Sequence, residues 1–412
     1  MQYKFFKYKK LNFILLTTLY NHLISPKNIF RIFSFFTKKI NILNNNYKSI
    51  LIVKLDAIGD FVLLTPFLRE LKSSYPNSYV TLIVSPASFS LAEVCPYIDQ
   101  VLVFNSQTNR VFAKLIILLR SIKFAFLNFK DKDFDLAISP RWDIDLYFAS
   151  YLIFFSRAKK RIAYSEKVNF LKSKLIKNYD LFYTDLIYSQ KNAHEVELNL
   201  DILNKLGCTI KSKKLELWTT RNDDKFSNII NKTNNNFFIA IIPGANDKNR
   251  QWPISYLVSL IEQLINIYNV NIVLLGGIND TLLADEIIKK VDYEFINLIG
   301  KTTLREATSI LNKCDLYIGN DTGLKHIAAA VDVKVIEISR FHINGHEMHH
   351  QSPYRFHAWG VDNFVLQPKF PIDDCDDDCK YNFSHCIKGV YVKDVLSIIR
   401  NNNLISNKFN KF

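Results

Sequence analysis

Asp315-Leu316-Tyr317-Ile318-Gly319-Asn320-Asp321-Thr322-Gly323-Leu324-Lys325-His326-Ile327-Ala328-Ala329-Ala330 decides how this chain folds. A short apolar run ends in a turn of small polar residues, and an Ala-rich segment of helical character follows. Asp321 is expected to cap that helix, and Gly323 lets backbone approach a ligand closely. The free amides and dipole at such a helix start suit an anion, a diphosphate in particular. His326, in the first turn or two, offers a further donor. A lone histidine there is often structural, but its coincidence with Thr322 and Gly323 favours function.

Working outward, the same strand–turn–helix rhythm recurs. Runs rich in β-branched or aromatic residues lie at Ser49–Leu55, Tyr79–Val84, Val101–Phe104 and Phe134–Ser139. They recur at Phe237–Ile242, Asn271–Leu275, Asp315–Ile318 and Val333–Ile338. Helix-length stretches separate them, which predicts parallel sheets covered on both faces. A polar, Asn-rich stretch at 219–236 divides two units of similar size. The expected organisation is a basic amphipathic extension (1–48), a first α/β unit (49–218), a linker (219–236), a second unit (237–387) and a C-terminal helix and tail (388–412).

Ligands of such units bind beyond the carboxyl ends of strands. Lys54-Leu55-Asp56-Ala57-Ile58-Gly59-Asp60 follows the first strand and leads into a helix containing Val62, Leu63, Phe67, Leu68 and Leu71, with Pro66 early enough to be tolerated. Asp60 projects from the helix start as a candidate for chemistry, although on this motif alone a capping role is the simpler reading. Pro243-Gly244-Ala245-Asn246-Asp247-Lys248-Asn249-Arg250-Gln251-Trp252-Pro253 suits a loop that holds an anion.

Composition sets the class. Lys and Arg number 53 against 39 Asp and Glu, a net charge of +14, with 48% hydrophobic residues. That is a core-forming chain, neither disordered nor collagenous. Six cysteines are too few for a secreted disulfide framework. Glycine, at 11 residues, is scarce enough that each one is expected where backbone needs it. Ten basic residues and no acidic one precede Asp56, and eight more lie between Arg157 and Lys177 against Glu166 alone. The first group, with Ile29, Ile32, Phe33, Phe36 and Ile40 at helical spacing, suits either an anionic membrane surface or packing on the protein. The second suits either a phosphorylated or lipid acceptor or a solvated face. No window reaches the roughly 18 apolar residues of a membrane span. The run at 11–20 is too short and is followed by Asn21 and His22, against a secretory leader.

Taken together, Asp-x-x-Gly-Asp after the first strand, Pro-Gly with Arg-x-Trp-Pro, Gly276-Gly277, Leu298-Ile299-Gly300-Lys301-Thr302-Thr303-Leu304-Arg305-Glu306 and Asn320-Asp321-Thr322-Gly323-Leu324-Lys325-His326 resemble glycosyltransferase family 9, which includes the ADP-heptose:lipopolysaccharide heptosyltransferases. The resemblance covers about residues 49–400. It implies a GT-B fold: α/β, two Rossmann-like domains with parallel sheets facing across a cleft. By position, Asp60 is implied as general base. Arg250, Asp321, Thr322, Gly323, Leu324 and His326 are implied around the nucleotide phosphates, and Asp280 at the ribose. It implies inverting transfer of a sugar, heptose from ADP-heptose, to a lipopolysaccharide core or related glycolipid, and the basic extension suggests a peripheral enzyme on the cytoplasmic membrane face. Ser339-Arg340 departs from the Phe-Gly of many relatives and leaves the donor sugar open. Another nucleotide-sugar donor, or a sugar-nucleotide-binding protein without turnover, are the alternatives. Because Arg250 and the helix amides supply the charge stabilisation, neither a cofactor nor a catalytic metal is expected.

Other motifs carry less. His346-Glu347-Met348-His349-His350 matches H-E-x-x-H, but Gly345 and Pro353 flank it and a loop is expected, which argues against a zinc protease. Cys375, Cys379 and Cys386 lack paired Cys-x2-Cys spacing and read as a local structural element ahead of a zinc site. No G-x-G-x-x-G follows either first strand, against a nicotinamide enzyme. No nucleic-acid-binding motif is present, and the charge lies in an extension, so no nucleic-acid partner is expected. Arg141, Trp142 and Asp143, after the fourth strand, are candidates to line the acceptor side.

Overall fold

The computed structural model describes residues 25–34, 46–108, 112–189, 191–233 and 235–411. The apolar run at 11–20 and the Phe36 and Ile40 positions of the expected interfacial helix lie outside the described residues.

Ser49–Lys54 (β1) is apolar along almost its whole length and is buried on both faces, as a central parallel strand must be. It is flanked by Tyr79–Val84 (β2) and Leu136–Ser139 (β4), with Ile50 opposite Val80 and Leu136. With Gln100–Val103 (β3), Lys160–Tyr164 (β5) and Asp185–Ile187 (β6), the sheet runs β3-β2-β1-β4-β5-β6, all parallel. The second sheet repeats the plan with Phe238–Ile242 (β7), Asn271–Leu274 (β8), Ile296–Asn297 (β9), Leu316–Asn320 (β10), Lys334–Ile338 (β11) and Asn363–Leu366 (β12). Its order, β12-β11-β10-β7-β8-β9, is the same doubly wound arrangement. Each sheet therefore reverses strand order at one place, between β1 and β4 and between β7 and β10, and crevices form there. All three turns singled out in the sequence, after β1, β7 and β10, sit at these two places.

Several expectations change in detail. The helix after β1 is two helices, Ile58–Val62 and Thr65–Ser74, with Pro66 in the first turn of the second. Proline lacks the amide that would continue the first helix, so it opens a new one, and Thr65 Oγ1 donates to the Val62 carbonyl at the joint. Residues 219–236 are not a bare linker. Thr220 and Asp223 form a capping box on helix Arg221–Phe226, which docks on the second unit through Ser309 Oγ to Asp224 at 2.7 Å.

The described part of the N-terminal extension, helix Pro26–Phe33, packs on the first unit. Ile29 is buried there, and Phe30 and Phe33 meet Phe154 and Phe155 at ring separations of 6.0 and 5.3 Å. One buried apolar cluster joins residues of β1 and helix Ile58–Val62 to residues of β7, β10 and helix Gly323–Ala330. The two units thus share core across the seam where their turns meet. No helix among the described residues is long and apolar enough to cross a membrane.

Candidate active site

Asp60 occupies the third position of helix Ile58–Val62, whose N-cap, Ala57, makes no side-chain bond. Its carboxylate accepts from the Ala57 amide, so it helps to satisfy the helix start. Burial pushes the Asp60 carboxyl up to about 6 and Glu195 adds repulsion, while Lys54, Arg355 and the Ala57 amide oppose the rise. A carboxylate with that affinity for protons is suited to take one from a hydroxyl near neutral pH.

Across the seam, the turn after β10 faces Asp60. A Cβ on Gly59 would lie 2.6 Å from His326 Cδ2, and one on Gly323 would lie 3.1 Å from Ile58 Cβ and 3.3 Å from the Gly59 nitrogen. A side chain at position 59 would collide with the His326 ring, and one at 323 would press on Ile58 and the Gly59 backbone. Thr322, not Asp321, is the N-cap of helix Gly323–Ala330, in extended conformation and with no side-chain cap bond. Its hydroxyl instead pairs with Tyr317 at 3.2 Å. The first amides of the helix are left without a side-chain acceptor, the arrangement that receives anions.

Asp321 is drawn into ion pairing instead of capping. It meets Lys325 at 2.6 Å and Arg250 at 3.3 Å. Burial opposes its ionisation, yet Lys325 and Arg250 together hold it below the usual carboxylate range. Lys325 is fully buried and also pairs with Glu337 at 2.7 Å. Arg250 bonds Asp247 at 2.9 Å, and its Nε is buried without a hydrogen-bond partner. Asn320 ties the two turns together: its amide donates to the Pro243 and Gly244 carbonyls at 2.9 and 3.1 Å, and its oxygen accepts from the Trp252 amide at 3.0 Å.

Asp280 lies beside both glycine turns of the second sheet. It accepts from the Gly277 amide at 2.9 Å, and its oxygens occupy the space a side chain on Gly244 or Gly276 would take. Burial raises its pKa, and the Gly277 amide opposes the rise. His326 is the sequence candidate whose surroundings differ most from expectation. It is buried against Gly59 with an unpartnered Nδ1, and burial, reinforced by Lys325, keeps it neutral. It fills the seam between the helix starts.

Beneath Asp60 lies a buried charge network that sequence reading missed. Lys54 Nζ lies 3.4 Å from Asp56 and 3.7 Å from Glu195, and donates to the Pro140 carbonyl at 3.0 Å. Arg141 pairs with Asp56. Arg355 reaches from the second unit to Asp143 at 2.8 Å and Glu195 at 2.9 Å, and lies 4.9 Å from the Trp142 ring. Arg141, Trp142 and Asp143 thus belong to this network. A lysine ending an apolar buried strand was the one signal available for Lys54. Glu195 opens an ordinary helix and Arg355 sits in a four-residue one, and neither position gave a signal.

The basic segment 157–177 divides. Arg161 is buried and donates to the Phe182 and Ala158 carbonyls, both at 2.8 Å. Lys172 is buried too, donates to Trp142 and Tyr164 carbonyls at 2.9 and 3.0 Å, and has its pKa lowered by burial to about 8. Lys167, Lys174 and Lys177 remain exposed beside Phe170, Leu171 and Leu175, with Phe170 77% exposed. His346–His350 forms turns and no helix, so its histidines do not share a helix face. Arg340 is buried and bonds the Asp377 carbonyl at 3.3 Å.

A match to the family described as Glycosyltransferase family 9 (heptosyltransferase) spans residues 128–345. Among curated relatives, the lipopolysaccharide core heptosyltransferase OpsX of Haemophilus influenzae is 23% identical over 300 residues, 72% of this chain and 80% of the relative. The lipooligosaccharide heptosyltransferase 2 of Campylobacter jejuni is 24% identical over 288 residues, 68% and 78% of the two chains. Two solved structures share the fold. A family 9 glycosyl transferase from Veillonella parvula superposes with a TM-score of 0.67 at 19% identity, covering 88% of this chain and 99% of its own. E. coli heptosyltransferase WaaC with ADP gives 0.60 at 15% identity, covering 86% and 98%. A match spanning more than half of the chain, on two facing parallel sheets of GT-B type, makes this protein a member of glycosyltransferase family 9.

Proposed function

We propose that the protein is an inverting glycosyltransferase that moves heptose from ADP-heptose to a lipopolysaccharide core acceptor. The observation that carries the mechanism is the seam itself: a carboxyl with pKa near 6 on one helix start opposes an uncapped helix start flanked by Arg250 on the other. The acceptor hydroxyl gives its proton to Asp60 as its oxygen attacks the anomeric carbon from the face opposite the diphosphate. The bond to the departing ADP breaks in the same step, which inverts the configuration. Charge builds on the leaving diphosphate, where the Gly323 and Leu324 amides and the Arg250 guanidinium receive it. Asp280 is assigned to the ribose hydroxyls, since it stands at the ends of β7 and β8 beside Gly244 and Gly276. Thr322 and Asp321 shape the phosphate turn, and His326 holds the two helix starts in register.

Names of relatives support the donor and acceptor classes, since OpsX and its counterparts are lipopolysaccharide or lipooligosaccharide heptosyltransferases. We place the enzyme at the cytoplasmic face of the inner membrane, with exposed Phe170, Leu171 and Leu175 and their neighbouring lysines turned to the anionic glycolipid surface. Asp60→Asn tests the assignment. Transfer from ADP-heptose to a purified core acceptor should fall by about 10²–10⁴-fold, the range of a lost general base, with ADP affinity nearly unchanged. Turnover within a few-fold of the unaltered enzyme would remove Asp60 from the chemistry.

A further inference from the structure

The Cys375, Cys379 and Cys386 thiols converge, and His385 joins them. The four ligand atoms lie within 4.8 Å of one another. Cys375 Sγ and Cys379 Sγ are 3.9 Å apart, and His385 Nδ1 lies 3.6, 3.9 and 3.5 Å from the sulfurs of Cys375, Cys379 and Cys386. A disulfide would need sulfurs about 2.05 Å apart. In a tetrahedral zinc site, with Zn–S about 2.3 Å and Zn–N about 2.0–2.1 Å, neighbouring sulfurs stand about 3.8 Å apart and sulfur and nitrogen about 3.5 Å. The one sulfur–sulfur and three sulfur–nitrogen separations above lie within about 0.4 Å of these tetrahedral values.

Hydrogen bonding alone does not account for the cluster. Three thiols, all weak donors, are aimed at one imidazole nitrogen that has a single lone pair. A cation at their centre satisfies all four groups. The imidazole is already oriented for it, because His385 Nε2 lies 3.1 Å from Asp373 Oδ2. Nε2 therefore carries the proton and Nδ1 keeps its lone pair turned inward, the carboxylate–histidine pairing that supports metal ligands.

We propose that Cys375, Cys379, His385 and Cys386 bind one structural zinc ion, with loss of the three thiol protons on binding. The ion clamps residues 373–390 onto the loop that carries Arg250. Tyr381 O accepts from Asn249 Nδ2 at 3.1 Å, Ser384 Oγ donates to Gln251 O at 2.6 Å, and Val390 O accepts from Trp252 Nε1 at 2.9 Å, so the clamped segment grips both sides of Arg250. Zinc takes no part in transfer; it fixes a loop.

The test uses the full chain, purified under reducing conditions without chelator. Metal analysis should find about one zinc per chain, and cobalt(II) added to the chelator-stripped protein should give thiolate charge-transfer absorption and the visible bands of a tetrahedral site. Cys379→Ser and His385→Ala should lose most of the metal, whereas His385→Cys, which offers a fourth thiolate, should keep it. Circular dichroism of each variant separates loss of the site from failure to fold. Removing zinc should also expose residues 373–390 to limited proteolysis. Metal content below about a tenth per chain with no cobalt spectrum, stoichiometric iron, or a Cys375–Cys379 disulfide would overturn the assignment. An unchanged cleavage pattern in the stripped protein would overturn the clamp.

Discussion

Asp60 shows how one side chain serves two ends. It bonds the Ala57 amide of its own helix, and it is held where ionisation is costly. Its pKa in the folded chain, about 6, lies above the ordinary value of 3.8, so the ionised form destabilises the fold. The penalty is fully present above pH 6, shrinks as pH falls through 6, and has vanished below about 4. Asp60→Asn should therefore melt at a higher temperature than the unaltered protein at pH 8, with the difference fading by pH 4, as scanning calorimetry across pH would show. The rate should fall as pH drops below about 6, because a protonated carboxyl accepts no proton. Arg250 predicts differently. Placed at the leaving diphosphate in the proposed mechanism, it should matter to the rate rather than to proton removal, so Arg250→Ala should lower kcat by about 10²–10³-fold, read by steady-state kinetics. The placement of Asp60 and Arg250 at the seam was legible because each stands at a strand-to-helix turn with a glycine nearby. Glu195 and Arg355 were not, because their importance comes from partners far away in sequence.

At the scale of elements, the seam rests on two glycines. Gly59→Ala would press a methyl into the buried His326 ring. The expected result is a fall in kcat/KM of tenfold or more and a lower melting temperature. Gly59→Ala combined with His326→Ala should recover most of the melting temperature, checked by thermal unfolding of the two variants side by side. Strand positions in the centre of each sheet were readable because burial on both faces demands continuous apolar runs. β5, β6, β9 and β12 were not recognised. β5 begins Lys160-Arg161 and β6 with Asp185, β9 has two residues, and β12 is half-buried at a sheet edge. The same ambiguity made 157–177 look like a uniform basic patch, when Arg161 and Lys172 point inward to carbonyl groups.

For the whole molecule, the decisive contacts cross between units. Arg355 joins Asp143 and Glu195, Arg305 bonds the Ser90 carbonyl at 2.9 Å, and His194 Nε2 lies 3.0 Å from the His357 carbonyl. Arg355→Ala would take the nearest cation from half-buried Asp143 and from buried Glu195, which keeps only Lys54 at 3.7 Å, a loss of about 3 kcal/mol by denaturant unfolding. Arg355→Met with Glu195→Gln should lose less, because fewer uncompensated charges stay behind. Alternating apolar runs and glycine turns were enough to determine two parallel α/β units and the turns that meet at their seam, since those signals depend on local periodicity and backbone freedom. The Asp60 pKa, the burial of His326, the ion pairs of Arg355 and the meeting of His385 with three cysteines were decided only by tertiary structure. Each depends on desolvation and on distances between groups that the chain brings together only when it folds.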